Sequence, residues 1–323
     1  MNIKDSLDYL RALSNSLPLD FWIHDFVSIP PRVGYLIDWI LSPLGFINSV
    51  ILSVKEAIGP TSANNVNRLS ICSIVKNECP YIKEFIEFHC HLGIDHFYIY
   101  DNESEDCLSE LLRPYIDSGV VDYRVIRGAG RQLDAYNDLI RRTRHTNELI
   151  AFIDIDEFLV PNSKFKTVRE AVEHWFNDFP ADGYGINWRV FGSSGYKTVS
   201  DRPSAYVTQS FLYRAPDEFS GNRHIKCIVN SSKVLSFINP HLPVLLPSAK
   251  IVDSHGDKIR RPQIDASYDY LSLHHYFCKS YEEFQRKRNR GKADLRELRP
   301  MSDFAEHDRN DVFDSSALTL FDK

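Results

Sequence analysis

Three carboxylates, Asp154, Asp156 and Glu157, follow an apolar run in "ELIAFIDIDEFLVPN" (Glu148–Asn162). Acidic side chains are seldom buried unless they are paired or bound to a metal. Along a strand alternate side chains point the same way, so Asp154 and Asp156 would share one face and repel each other. Either one takes a proton or a cation neutralises both. The apolar run offers no basic partner, which makes a divalent cation the economical answer. Magnesium is typically held by one or two carboxylates together with substrate phosphates, so the pair also implies a phosphate-bearing ligand. The plain structural alternative is a solvated strand end, or acids that cap a following helix.

The elements that must position this cluster alternate in type. "LSICSIV" (Leu69–Val75) is a short apolar run that suits a buried parallel strand. A helix over 80–92 follows, with Pro80 at its first position and Ile82, Phe85, Ile86 and His89 on one face. "HFYIYDN" (His96–Asn102) reads as a second strand and "SEDCLSELLRPYIDSG" as a second helix starting at a Ser/Asp cap. "VVDYRVI" (Val120–Ile126), "QLDAYNDLIRRTRH" and "LIAFIDI" give a third strand, a third helix and a fourth strand. This order predicts an α/β fold: a Rossmann-like, mostly parallel sheet with helices on both faces. Ligands then bind beyond the carboxyl ends of the strands. Three polar tips meet there: Lys76–Glu78, Asp101–Ser104 and Asp154–Glu157.

Around this core the chain divides into an N-terminal helical extension (1–58), a polar linker (59–67), the main domain (68–295) and a C-terminal tail (296–323). Leu7, Leu10 and Leu13 recur at helical spacing. The stretch Leu36–Val54 is long and apolar, but Asp38, Pro43, Gly45 and Asn48 interrupt it. It reads as helices packed on the domain or lying on a membrane surface rather than as a span. A net charge of -6 argues against nucleic acid as a partner. Cys72, Cys79, Cys90, Cys107, Cys227 and Cys278 include no CxxC pair and read as small buried residues in a reducing compartment. The N-terminus lacks the layout of a signal peptide. A glycan on the sequon at Asn102 would block the proposed ligand site. Both observations favour the cytoplasm, with membrane association through the N-terminal segment.

"FIDIDEFLVP" resembles the DxD segment of nucleotide-sugar glycosyltransferases of the GT-A fold, in the family 92 and related family 2-like group. "SIVKNECPYIKEFIEFHCHLGIDHFYIYDNESED", "INWRVFGSSG" and "HHYFCKSYEEFQRKRNRGKAD" are similar to the same family, in the same order, so the resemblance covers roughly 68–295. It implies transfer of a sugar from a nucleoside-diphosphate sugar to a carbohydrate or lipid-linked acceptor, with Mn2+ or Mg2+ and with inversion. By the same resemblance Lys76 and Asn77 border the base, Asp101 binds base or ribose, and Gln132 and Asn137 line the donor site. Asp154 holds the ribose or the metal's water shell, Asp156 ligates the metal, and His275 completes its coordination, with His274 in reserve. The region of Trp188, Gly192 and Gly195 faces the transferred sugar. In "QRKRNRGK", Arg288 and its basic neighbours are placed to neutralise the leaving diphosphate. Asp217 and Glu218 are the candidates for the general base that inversion needs.

Two rivals remain at this stage. A haloacid-dehalogenase-like phosphohydrolase also carries DxD after an apolar strand, although there small residues or Thr usually follow the second Asp, where this chain has Glu157-Phe158. A non-catalytic nucleotide-sugar-binding protein could keep the fold alone.

Overall fold

The structure, a computed structural model, describes residues 8–13, 42–48, 50–51, 68–290 and 298–321. Strand β1 (Leu69–Val75) is buried along its whole length. It lies between β2 (His96–Asp101) and β4 (Leu149–Phe152), parallel to both, and β3 (Val121–Val125) lies parallel beyond β2. Past β4 come β8 (Ile225–Asn230), β6 (Gly183–Val190), β12 (Leu271–His275) and β5 (Glu157–Pro161). The short β11 (Ile251–Val252) pairs with β6. Only β8 and β5 run against the rest, so the sheet is mostly parallel, as expected.

Each face of the sheet has its own core. Leu69, Ile71, Val75, Phe97 and Ile99 point to the side covered by α1 (Cys79–His91), α2 (Leu108–Asp117) and α4 (Val168–Asp178). Cys72, Ile74, Tyr98, Tyr100, Ile150 and Phe152 point to the other side, against α3 (Gln132–Thr143) and β9 (Val234–Ser236). The period-two alternation of β1 is therefore silent in hydropathy but real in space. Of the α1 face, Ile82, Phe85, Ile86 and His89 are all buried. Full burial of a side chain such as Phe85 contributes roughly 1.5–3 kcal/mol. His89 also ties α1 to β5: its Nδ1 pairs with the Phe85 carbonyl at 2.8 Å, and its Nε2 accepts the Leu159 N–H at 3.1 Å.

The fourth strand ends earlier than its apolar run. β4 stops at Phe152, and Asp154–Glu157 forms a turn into β5. The Glu157 N–H donates to the Asp154 carbonyl at 3.0 Å, and the Glu157 carboxylate accepts the Asp154 N–H at 2.8 Å. The two aspartates thus converge through a turn rather than through strand pleat.

The remaining elements are β7 (Tyr213–Arg214), β10 (Val244–Leu245), β13 (Val312–Phe313), the one-turn α5 (Val207–Ser210), α6 (Tyr281–Arg290), α7 (Ser302–His307) and α8 (Leu318–Phe321). The segment set apart as a C-terminal tail docks on the domain. β13 pairs with β7, and Asp314 accepts from Arg214 at 2.7 Å. Of the N-terminal extension, 8–13 and 42–48 are helical, and Ala12 and Leu13 pack on Leu235 and Leu246. The linker and most of the extension lie outside the described residues.

Cysteine usage differs from expectation. Cys79 and Cys107 form a disulfide that joins the loop after β1 to the loop after β2. No spacing rule betrays this pair, because the two cysteines are 28 residues apart and meet only once β1 and β2 lie side by side. Cys72, Cys227 and Cys278 are buried and free, as expected, and Cys90 is exposed.

Candidate active site

At the carboxyl ends of β1, β2 and β4 the three polar tips surround a cavity of about 480 Å3, within the range of ligand pockets. Lys76 and Glu78 come from the first tip, Asn102 and Glu103 from the second, and Asp154 and Asp156 from the turn. Gly128-Ala129-Gly130, between β3 and α3, forms another wall. Gly128 and Gly130 have φ of 95° and 70°, a region that glycine enters at no steric cost.

The opposite wall supplies what the apolar run before Asp154 could not, and here the reading of the sequence needs correction. The aspartates do have basic partners. Lys226, on β8 and fully buried, donates from Nζ to Asp154 Oδ2 at 3.2 Å and lies 3.9 Å from Glu157 Oε2. Gln132 Nε2 donates to Asp154 Oδ1 at 2.7 Å. Lys287, on α6, donates to Asp156 Oδ2 and, at 3.1 Å, to the Phe277 carbonyl. His275, at the end of β12, places Nε2 3.8 Å from Asp156 Oδ2. Sequence spacing could not reveal these partners, since they lie 72 and 131 residues from the aspartates they meet.

Burial and pairing set the charges. Burial raises the Asp154 and Asp156 carboxyls, but Lys226 for the first and Lys287 with His275 for the second outweigh it, and both stay ionised below the usual range. Burial raises Glu157 against the pull of Lys226. Burial lowers His275 to about 4 despite Asp156, so its ring is neutral near pH 7. Its Nδ1 is buried with no hydrogen-bond partner among the described residues.

The other expected residues divide. Lys76 and Gln132 line the cavity. Asp101 is not on its wall: it accepts the Ser104 N–H at 2.8 Å and the Tyr123 hydroxyl, and its neighbour Asn102 faces the cavity instead. Asn77 turns toward Ser104 and Glu105. Asn137 is spent on both backbone groups of Phe237. Arg288 donates to the Arg299 carbonyl, and on the same helix Lys287 and Arg290 reach the cavity. Asp217 pairs with Arg214 at 2.8 Å, and neither it nor Glu218 is on the cavity wall. His274 is fully buried against Phe191. Trp188 lines the cavity between His275 and His241, with ring centroids 4.3 and 5.5 Å away. The sequence pointed to neither Lys226 nor the glycine loop as site residues, although a Gly-Ala-Gly step between a strand and a helix is a legible signal.

Residues 69–301 match the sequence model of Glycosyltransferase family 92. The chain belongs to glycosyltransferase family 92. A family 92 protein of Ricinus communis is 26% identical over 226 residues, covering 68% of this chain and 37% of that protein. Beta-1,4-galactosyltransferase galt-1 of Caenorhabditis elegans is 33% identical over 210 residues, covering 62% of this chain and 45% of galt-1. The family 92 chain therefore spans less than half the length of either relative. Among solved structures, Staphylococcus aureus TarS 1-349 in complex with UDP-GlcNAc overlaps with a TM-score of 0.33 at 15% identity, covering 41% of this chain and 36% of TarS, a likeness too low to argue from.

For a divalent metal the donor chemistry of the family 92 site fits: carboxylate oxygens of Asp154 and Asp156 and a neutral imidazole on His275 suit Mn2+ or Mg2+. Among the described residues no three such groups are gathered tightly enough to hold a metal as they stand. One reason is visible, since Lys287 already occupies Asp156.

Proposed function

We propose that the chain transfers a sugar from a nucleoside-diphosphate sugar to an acceptor hydroxyl, with the diphosphate held at the Asp154–Glu157 turn. The observation that carries this reading is the meeting of two ionised aspartates, the buried Lys226, the half-buried Lys287 and a neutral histidine in one cavity at the strand ends. In the reaction the bond from the anomeric carbon to phosphate oxygen breaks, a bond to the acceptor oxygen forms as that hydroxyl gives up its proton to solvent, and a nucleoside diphosphate leaves with added negative charge. Arg290 lines the same cavity, and a fixed cation near the place where that charge develops lowers the barrier. Asp156, Asp154 and His275 would hold Mn2+ or Mg2+, which when bound supplies Lewis-acid stabilisation of the leaving group. The glycine loop lets the backbone approach the nucleotide, and Trp188 offers a flat apolar wall to the sugar.

The name of galt-1 makes UDP-galactose the first donor to test. Release of UDP from UDP-galactose, faster with Mn2+ than with chelator and lost in Asp156→Ala, supports the reading. Free phosphate released from a phosphomonoester, with no nucleotide-sugar turnover, would instead support the phosphohydrolase.

The surroundings of the reaction follow from two further features. The Cys79–Cys107 pair favours an oxidising compartment over the cytoplasm first expected. The Asn102 sequon does not weigh against this, because Asn102 is buried and donates to the Ile126 and Gly128 carbonyls. Among the described residues no helix is long and apolar enough to cross a membrane. Leu44 and Ile47, in the helical residues 42–48, and Val50 and Ile51 are nonetheless exposed, which supports peripheral contact with a membrane surface.

A further inference from the structure

In the order of the sheet, β8 and β6 lie beyond β4 from β1 and β2. There, besides His275, two histidines pack on Trp188 of β6. His224 stacks on the indole with ring centroids 4.9 Å apart, and His241 meets it nearly edge-on at 5.5 Å. His241 is on the wall of the main cavity and His224 is not.

The His241 ring is held at several points. Its backbone N–H donates to Asn239 Oδ1 at 2.9 Å, its carbonyl accepts the Cys227 thiol at 3.1 Å, and its Nδ1 lies 2.9 Å from the Ile225 carbonyl. Ile225 and Cys227 bracket Lys226 on β8, so the ring is fixed to the same stretch that presents Lys226 to Asp154. A carbonyl only accepts, so Nδ1 carries the proton, and in the neutral ring Nε2 is left with the lone pair. Burial, helped by the Lys226 cation, lowers His241 to about 3, so the ring is neutral near pH 7 and takes up no proton there. It is equipped to accept a hydrogen bond and not to act as a general base.

His224 lacks this feature. Its Nδ1 lies 3.2 Å from the Gly221 carbonyl, and its Nε2 already accepts the Gln263 amide at 2.7 Å. Donors of the cavity wall are spent elsewhere: Lys226 and Gln132 on Asp154, Lys287 on Asp156, and Asn102 on the carbonyls of Ile126 and Gly128. Among the described residues His241 makes no other side-chain hydrogen bond, so Nε2 is left for water or a ligand. With the diphosphate at the Asp154–Glu157 turn and the nucleoside toward the glycine loop, the part of the donor that reaches Trp188 and His241 is the sugar.

We propose that His241 determines specificity for the transferred sugar, its Nε2 accepting a hydrogen bond from a hydroxyl of the sugar bound beside Trp188. This role rests on the glycosyltransferase reading and deepens it by naming a residue that tells a hydroxylated sugar from its deoxy analogue. A site built to bond a hydroxyl rejects an analogue without it, because its own polar group is then left unpaired.

The full chain is titrated by calorimetry with UDP, with UDP-galactose and with the 2-, 3-, 4- and 6-deoxy forms of UDP-galactose, each with Mn2+. His241→Asn keeps an amide N–H near the place of Nδ1, in reach of Ile225, but has no atom at Nε2. His241→Gln puts an amide oxygen near Nε2. UDP is expected to bind the wild type and both variants alike, which also shows that both fold. UDP-galactose is expected to bind His241→Asn about tenfold more weakly than the wild type, the loss of one hydrogen bond, and His241→Gln recovers part of that affinity. One deoxy form is expected to bind the wild type and His241→Asn equally, since the contact is already missing from it. Equal binding of UDP-galactose by wild type and His241→Asn, a difference retained in every deoxy form, a parallel loss of UDP binding, or no binding of UDP-galactose by a wild type that binds UDP overturns the contact. No binding of UDP by the wild type overturns the transfer reading together with the contact. Binding of UDP-galactose without release of UDP overturns the transfer reading alone, and the deoxy comparison still decides the contact.

Discussion

The two walls of the main cavity are built in different ways. One is made of loops after β1, β2, β3 and β4, each close in sequence to its strand, the first two tied together by Cys79–Cys107. The other draws residues far apart in sequence from β8, β12 and α6: Lys226, His275, Lys287 and Arg290. The loop wall carries the acids, together with Lys76, and the second wall carries the other bases. Within the second wall Lys226 is locked on a central strand, whereas Lys287 rides on α6, outside the sheet. In the proposed reading Asp154 therefore meets a fixed cation and Asp156 an exchangeable one, and the exchangeable position is the one that gives way to a metal.

The largest expected effect tests the fixed side. Lys226→Met leaves Asp154 and Glu157 without their buried cation, and removing one partner of a buried pair costs about 3–5 kcal/mol. Denaturant unfolding measures it; a loss below about 1 kcal/mol, the size of a surface pair, would mean that Lys226 is not what neutralises the turn. Next comes the loop wall. Replacing Cys79 and Cys107 by Ser opens a loop of 28 residues and is expected to lower stability by about 2–4 kcal/mol. The same loss should appear on adding reductant to the wild type, and a chain indifferent to reductant would show that the clamp is not formed in solution. A smaller effect is expected at the exchangeable side. Lys287→Met should bring the Mn2+ requirement for UDP binding to lower concentration, since it frees Asp156; a higher requirement would show that Lys287 grips phosphate instead of competing with the metal. Asp217→Asn lies outside both walls. It should leave UDP-galactose turnover within about twofold, as a surface substitution does, and a hundredfold loss would restore Asp217 as the general base.

This contrast also explains what was legible in the sequence. The loop wall follows from local pattern: apolar runs fixed the strands, and polar tips at their ends fell on one rim because parallel strands share a direction. Asp154, Asp156, Lys76 and Gln132 were found that way or by resemblance. The second wall depends on strand order. β8 enters antiparallel between β4 and β6, and no periodicity in "HIKCIVN" announces that Lys226 will lie inside the sheet under a carboxylate. His275 was reached through resemblance. The basic run on α6 was visible, but which of its residues faced inward was not: on a helix Lys287 and Arg288 point about 100° apart, and the first, not the second, meets Asp156. Asn102 rather than Asp101 faces the cavity for a related reason, because Asp101 closes a local turn with Ser104.

The central claim is that Asp156 holds a cation which in turn holds a diphosphate. Thermal stability of the wild type and of Asp156→Ala, each with UDP and with Mn2+ or chelator, tests it most directly, because a ligand that binds only the folded state raises stability by mass action. The account predicts a UDP-dependent rise in the wild type with Mn2+ alone, and none in Asp156→Ala. A rise of equal size in chelator, persisting in Asp156→Ala, would contradict it.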